Sequence, residues 1–238
     1  MKINKLTTLI KKYHLNTAVD SVKWEIKDKK ATINFVTPDR TLVGAITMDD
    51  IDIDDCDLPI YTTAQLLKLL SVFDGDIEIS PLIIDGLAKT LNMSDKQSSA
   101  TFMLADPSVI PVAPKSKQFP DFEFEMDITA DFISKFNKAK AALPDIGHVT
   151  FNCNSGNCDM IIGYSNNNTT RITIPINGAI EGEIKFKSFN SNYLKEILSV
   201  NSDATKGSIA VSNAGLLSVK YTGTGAASSY YLVEVNHV

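Results

Sequence analysis

Apolar residues recur at helical spacing in four stretches, and at alternating spacing almost everywhere between them. Residues 4–14 predict a helix with Leu6, Leu9, Ile10 and Tyr13 on one face, Lys5, Thr8 and Lys12 opposite, and Lys11 to one side. Residues 61–73 predict a second, with Leu66, Leu69, Leu70 and Phe73 on its buried stripe. A third, over 128–143, has Phe132, Ile133, Phe136, Ala139 and Leu143 on its stripe, with Lys135 and Lys138 away from it. Thr129, three residues before Phe132, is placed to cap it. The fourth covers 190–200. Strand patterns fall at 22–27, 31–36, 42–48, 51–60, 77–80, 86–93 and 100–105, and again at 122–127, 148–152, 159–164, 170–174, 182–186, 208–211, 216–221 and 230–235.

The order repeats. Leu66-Leu67-Lys68-Leu69-Leu70-Ser71-Val72 returns as Leu194-Lys195-Glu196-Ile197-Leu198-Ser199-Val200, 128 positions later. A short alternating strand follows each copy, Asp76-Ile77-Glu78-Ile79-Ser80 and Ser208-Ile209-Ala210-Val211-Ser212. Thr8-Leu9-Ile10-Lys11-Lys12-Tyr13 likewise aligns with Asp131-Phe132-Ile133-Ser134-Lys135-Phe136. Between the copies, residues 106–120 hold Pro107, Pro111, Pro114 and Pro120, with Lys115 and Lys117 between them. That density of proline excludes a helix or a central strand and predicts a stiff, extended linker. The expected organisation is a domain over 1–107, a connector over 108–120 and a domain over 121–238. A chain of 238 residues with 44% hydrophobic content can fill two such cores.

Composition adds little chemistry. No segment approaches the roughly 20 apolar residues that span a bilayer, and no leader pattern opens the chain, so it reads as soluble and intracellular, with no membrane partner. Three cysteines, an odd count, argue against a disulfide framework. Cys153-Asn154-Ser155-Gly156-Asn157-Cys158 reads as a hairpin turn in preference to a metal clip. The sequons at Asn167 and Asn168 carry no weight without secretion. His14, His148 and His237 lie far apart and have no partner motif. No nucleophile elbow, phosphate loop or zinc-protease motif occurs, so no catalytic residue, cofactor or metal is expected. The run Asp49-Asp50-Ile51-Asp52-Ile53-Asp54-Asp55-Cys56-Asp57 begins like a calcium loop but lacks its glycine and its closing glutamate. Its alternation suits a strand with one wet face. The net charge is −5, and only Arg40 and Arg171 are arginine, the rest of the cations being lysine, a point charge suited to phosphate contact without base reading.

Several stretches together resemble the sliding clamps of DNA replication, in particular those of T4-like bacteriophages and, more distantly, proliferating cell nuclear antigen. The resemblance lies in Met1-Lys2-Ile3 with Thr7-Thr8-Leu9-Ile10-Lys11, in Ile51-Asp52-Ile53-Asp54 with Ile60-Tyr61, and in the leucine-rich stretch ending Leu70-Ser71-Val72. It continues through Gly75-Asp76-Ile77-Glu78-Ile79-Ser80 and through Ala105-Asp106-Pro107-Ser108, Val112-Ala113-Pro114 and Phe119-Pro120. It covers the first half well and the second mainly by repetition.

The resemblance implies an α+β fold of two repeated clamp domains, each with antiparallel sheets outside and two helices inside. It implies a homotrimeric ring around double-stranded DNA that acts as a non-enzymatic processivity factor. A DNA polymerase would be tethered to it, and an ATP-dependent clamp loader would open it in the cytoplasm of an infected bacterium. Lys5, Lys12, Lys68, Lys135 and Lys138 would meet phosphates, although Glu196 stands where Lys68 stands in the earlier copy. Leu42, Val109, Val112, Tyr231 and Leu232 would receive partner peptides, the alternative for each being ordinary packing. A structural or virion protein built on the same duplicated β-rich unit is the competing expectation.

Overall fold

Short alternating strands joined by tight turns, interrupted twice in each half by a helix with one apolar face, produce the architecture seen in the computed structural model. The structure describes residues 1–114, 118–154, 156–167 and 170–235. Lys115 and Lys117 of the predicted linker, Ser155 of the predicted turn, Asn168 and Thr169 of the sequons, and His237 lie outside the described residues. The chain divides into two compact units, Met1–Pro114 with Thr224–Ser228, and Lys115–Gly223 with Ser229–Val238.

In the first unit, α1 (Ile3–His14) and α2 (Thr63–Leu70) pack together, and α1 also packs on a sheet. That sheet is antiparallel, ordered β3 (Leu42–Met48), β2 (Lys30–Val36), β1 (Val22–Lys27), β4 (Cys56–Ile60). Strict alternation puts Val22, Trp24 and Ile26 inward with Ala31, Ile33 and Phe35, and Leu6, Leu9, Ile10 and Tyr13 cover them. Burying each such side chain is worth about 1.5–3 kcal/mol. Tyr13 and Trp24 meet edge to face at 6.3 Å, and the Phe35 ring lies over Gly44, where any Cβ would collide with it. A second antiparallel sheet is ordered β5 (Glu78–Ile84), β6 (Leu87–Ser94), β7 (Ser99–Met103).

The second unit repeats the plan. A sheet is ordered β12 (Ala179–Ile180), β8 (Phe124–Asp127), β14 (Lys206–Ser212), β15 (Leu216–Gly223), β16 (Ala226–Val233). A four-stranded sheet is ordered β11 (Ile172–Ile176), β10 (Asn157–Ile162), β9 (His148–Asn154), β13 (Ile184–Asn190). The helices α3 (Ala130–Ala142) and α4 (Ser191–Val200) pack on each other; α3 buries Phe132, Phe136 and Ala139, and α4 buries Leu194, Ile197 and Leu198.

The α+β class and the paired helices match the sequence reading; several boundaries do not. Helix α2 is shorter than 61–73, because Val72 and Phe73 donate to the Leu69 and Leu70 carbonyls and tighten the last turn. The 51–60 segment is strand only from Cys56: Asp50 takes a left-handed conformation at φ 54 and the chain bends, so Ile51 and Ile53 are buried without a ladder. The linker is not helix-free, since Pro107–Val109 form one 3-10 turn with proline at its start. Strand β13 runs past 186 because a bulge at Phe186, φ 45, absorbs the irregularity between Ile184 and Lys187. Cys153 and Cys158 form a disulfide, against the reading from the odd count. Their register on β9 and β10 makes them direct cross-strand partners, a proximity the count cannot register.

Candidate nucleic-acid interface

The four helices are basic. Together they carry eight lysines, six of them reaching solvent, against two acids, Asp131 and Glu196, so they hold +6 of a chain whose net charge is −5. The rest of the chain is therefore −11. An acidic protein that concentrates its lysines on helix faces separates its charge by element rather than averaging it.

The candidate lysines differ in how they are held. Lys68 and Lys138 are exposed and make no salt bridge among the described residues. Lys135 is exposed and pairs with Asp131 one turn earlier at 2.9 Å, a contact that solvent screens. Lys5 is half-buried and lies 3.6 Å from Asp50. Lys12 corrects the expectation: it is 3% exposed and cannot present its ammonium to a phosphate from this position. At about 100° per residue, the direction opposite the Leu6, Leu9, Ile10 and Tyr13 stripe falls at Thr8 and Lys11, while Lys12 flanks the stripe. Lys11 is the exposed residue.

Two further lysines were not singled out by the pattern. Lys195 is exposed on α4 beside Glu196. The signal for it was present in the repeat, one position before the place of Lys68. Lys140 is buried at the end of α3 and donates to the carbonyls of Pro144 at 2.8 Å and Ile146 at 2.6 Å. Burial, with Lys195 nearby, pushes its ammonium below the ordinary lysine range. It closes the helix C-terminus and is not a free cation.

The aspartate run is wet and paired. Asp49 meets Lys30 at 3.2 Å, Asp52 meets Lys29 at 3.4 Å and Asp57 meets Lys23 at 3.0 Å. No group of three or more metal-ligating side chains is gathered among the described residues.

The partner-binding candidates split into core and surface. Leu42 and Leu232 are fully buried, which corrects the expectation that they meet a partner. Both fall on the inward phase of their strands, Leu42 on β3 and Leu232 on β16 beside Tyr230. Val109 is 52% exposed and Val112 87% exposed, whereas Ile110 and Ala113 between and after them are tucked in. Tyr231 takes the outward phase of β16 and stacks on Phe119 with ring centroids 4.4 Å apart. Phe119, at 42% exposure, is the aromatic that the sequence reading left within its linker motif. Asp106 holds the start of this segment, accepting from the Ser108 amide at 2.9 Å and its hydroxyl at 2.6 Å. Those bonds keep its carboxyl below the usual range.

No protein-family model matches the chain, and no curated protein matches it. Solved structures do. Proliferating cellular nuclear antigen from Entamoeba histolytica superposes with a TM-score of 0.72 at 12% identity, covering 99% of this chain and 96% of that one. The same antigen from A. fulgidus, solved with the C-terminal region of FEN-1 bound, superposes with a TM-score of 0.73 at 17% identity, covering 100% and 98%. The chain has the sliding-clamp fold along its whole length.

Proposed function

We propose that this chain is a DNA polymerase processivity factor: three copies close head to tail into a ring that encircles duplex DNA. The observation that carries this reading is the charge separation: the six helix lysines that reach solvent, less Asp131 and Glu196, leave +4 on the helices of a chain that is −5 in total, in a clamp fold. In a ring whose helices face the hole, Lys68, Lys135, Lys138 and Lys5, joined by Lys11 and Lys195, meet phosphates. Lysine contacts of this kind are sequence-independent, weak singly and strongly dependent on salt, so the ring slides. Retention comes from closure, and no bond is made or broken.

In this reading residues 1–107 and 121–238 are the two clamp domains and 108–120 connects them. Val109 and Val112, exposed in the first unit, receive an apolar or aromatic peptide from the polymerase or from an ATP-dependent loader that opens the ring. The bound FEN-1 segment on the A. fulgidus structure supports peptide capture as a use of this fold. Closed rings of two-unit chains require threefold closing symmetry to reach six units.

Light scattering tests the assembly. The expected result is a particle of three times the 26.0 kDa chain mass. A monodisperse monomer that persists as the protein is concentrated contradicts it.

A further inference from the structure

Cys153 on β9 and Cys158 on β10 face each other directly across the hairpin. Their Cα atoms are 4.0 Å apart, and both side chains point to the buried face, at 0% and 2% exposure. The hairpin does not depend on their bond. Backbone pairing runs from Asn154–Asn157 to Val149–Ile162, with β13 on the other side of β9 and β11 on the other side of β10. The cross-link closes a sequence separation of only 5, so it removes little entropy from the unfolded chain. Asn154, Gly156 and Asn157, next to the two cysteines in the chain, are exposed.

We infer that Cys153 and Cys158 are a redox modification site, a dithiol–disulfide couple that exchanges with low-molecular-weight disulfides such as oxidised glutathione. In the forward direction one cysteine gives up its proton and its thiolate attacks a sulfur of oxidised glutathione. The glutathione S–S bond breaks, and the departing glutathione thiolate takes a proton. The second cysteine then deprotonates and attacks the protein sulfur of the mixed disulfide, releasing a second glutathione thiol. Two protein thiols lose two electrons and two protons, and one glutathione disulfide becomes two thiols. Cys56 stays out of the couple: it stands opposite Ile26 on β4 and has no second cysteine across from it to resolve a mixed disulfide. Strand β10 supports β11, the edge of its sheet, with Cys158 opposite Ile176. Oxidation therefore stiffens the strand on which that edge rests.

The test equilibrates the whole chain in buffers of graded reduced-to-oxidised glutathione ratio, blocks free thiols with N-ethylmaleimide in denaturant, and weighs the intact protein. The expected result is a single step from three adducts to one, with no glutathione retained. Hydrogen exchange should slow across residues 149–162 in the oxidised form. C56S should keep the step, and the C153S/C158S double variant should lose it. Three adducts at every ratio, or glutathione held stably on either cysteine, overturns the couple. So does one adduct in native protein after prolonged excess dithiothreitol, which marks a static disulfide.

Discussion

The two helix pairs have the same position in their repeats but are terminated by different means. In the second unit the caps are local. The Thr129 hydroxyl accepts from the Phe132 amide at 3.1 Å, and the Asn190 side chain accepts from the Asn192 and Tyr193 amides at 2.9 and 3.1 Å. In the first unit neither helix has a side-chain cap of its own. The start of α2 is held from 44 residues away, by the Asp20 carboxylate accepting from Ala64 at 2.8 Å while its carbonyl accepts from the Thr63 amide and hydroxyl. Helix α1 ends in three successive left-handed residues, Leu15, Asn16 and Thr17, none of them glycine. The repeat thus preserves apolar stripes and topology, and the polar details of helix ends are free to differ.

The largest effect expected comes from the shared feature, the stripe. Phe136→Ala removes a fully buried ring and should cost about 3–5 kcal/mol, measured by urea unfolding. A loss below about 1 kcal/mol would mean that α3 does not anchor its unit. Next come the caps. Asn190→Ala should cost about 1–2 kcal/mol, and Thr129→Ala about 1 kcal/mol. Asp20→Ala should produce a loss of similar size, yet expose α2, far along the chain, to hydrogen exchange. If exchange increased only around residue 20, the cap would not be remote. Thr17→Gly, at φ 79, should leave stability unchanged or raise it by up to about 1 kcal/mol, because relief of left-handed strain on a β-branched residue offsets glycine's extra freedom. A clear destabilisation would show that Thr17 makes a contact that outweighs the strain.

The smallest effect is in alkaline solution. Folded Cys56 keeps its proton to about pH 11 against an ordinary 9.0, so its contribution is full below pH 9 and is lost as pH rises towards 11. Tyr13 and Tyr221, raised by burial, and Lys23, raised by its hydrogen bonds to Glu25 and Asp57, add losses of the same sign above pH 10. Lys140, lowered, contributes with opposite sign as pH rises towards 10.5. Cys56→Ser should flatten the decline between pH 9 and 10, read as urea midpoints; an unaltered slope would assign the decline to other groups.

The same contrast explains what could be read from the sequence. Where structure is set locally, periodicity found it: β1 and β3 fall on their predicted residues, and Thr129 caps as its spacing from Phe132 suggests. Where distant residues decide, it did not. Nothing near Tyr61 shows that α2 waits for Asp20 to begin at Thr63, and the Asp/Ile alternation hid the left-handed Asp50. Among the candidate lysines, helical spacing put Lys68, Lys135 and Lys138 away from the apolar stripes, and they are exposed. It exchanged Lys11 for Lys12, because two adjacent lysines differ by only one helical step and the flank is covered by the rest of the unit. Leu42 and Leu232 were chosen by resemblance, whereas strand phase points them inward.

Encirclement requires threading. The direct measurement compares binding to linear duplex DNA with one free end and to the same duplex with both ends blocked by streptavidin, at moderate salt and without a loader. Rings that thread should associate with the open duplex and lose that association when both ends are blocked. Equal binding to the two DNAs would show that the lysines grip from outside, and it would contradict encirclement.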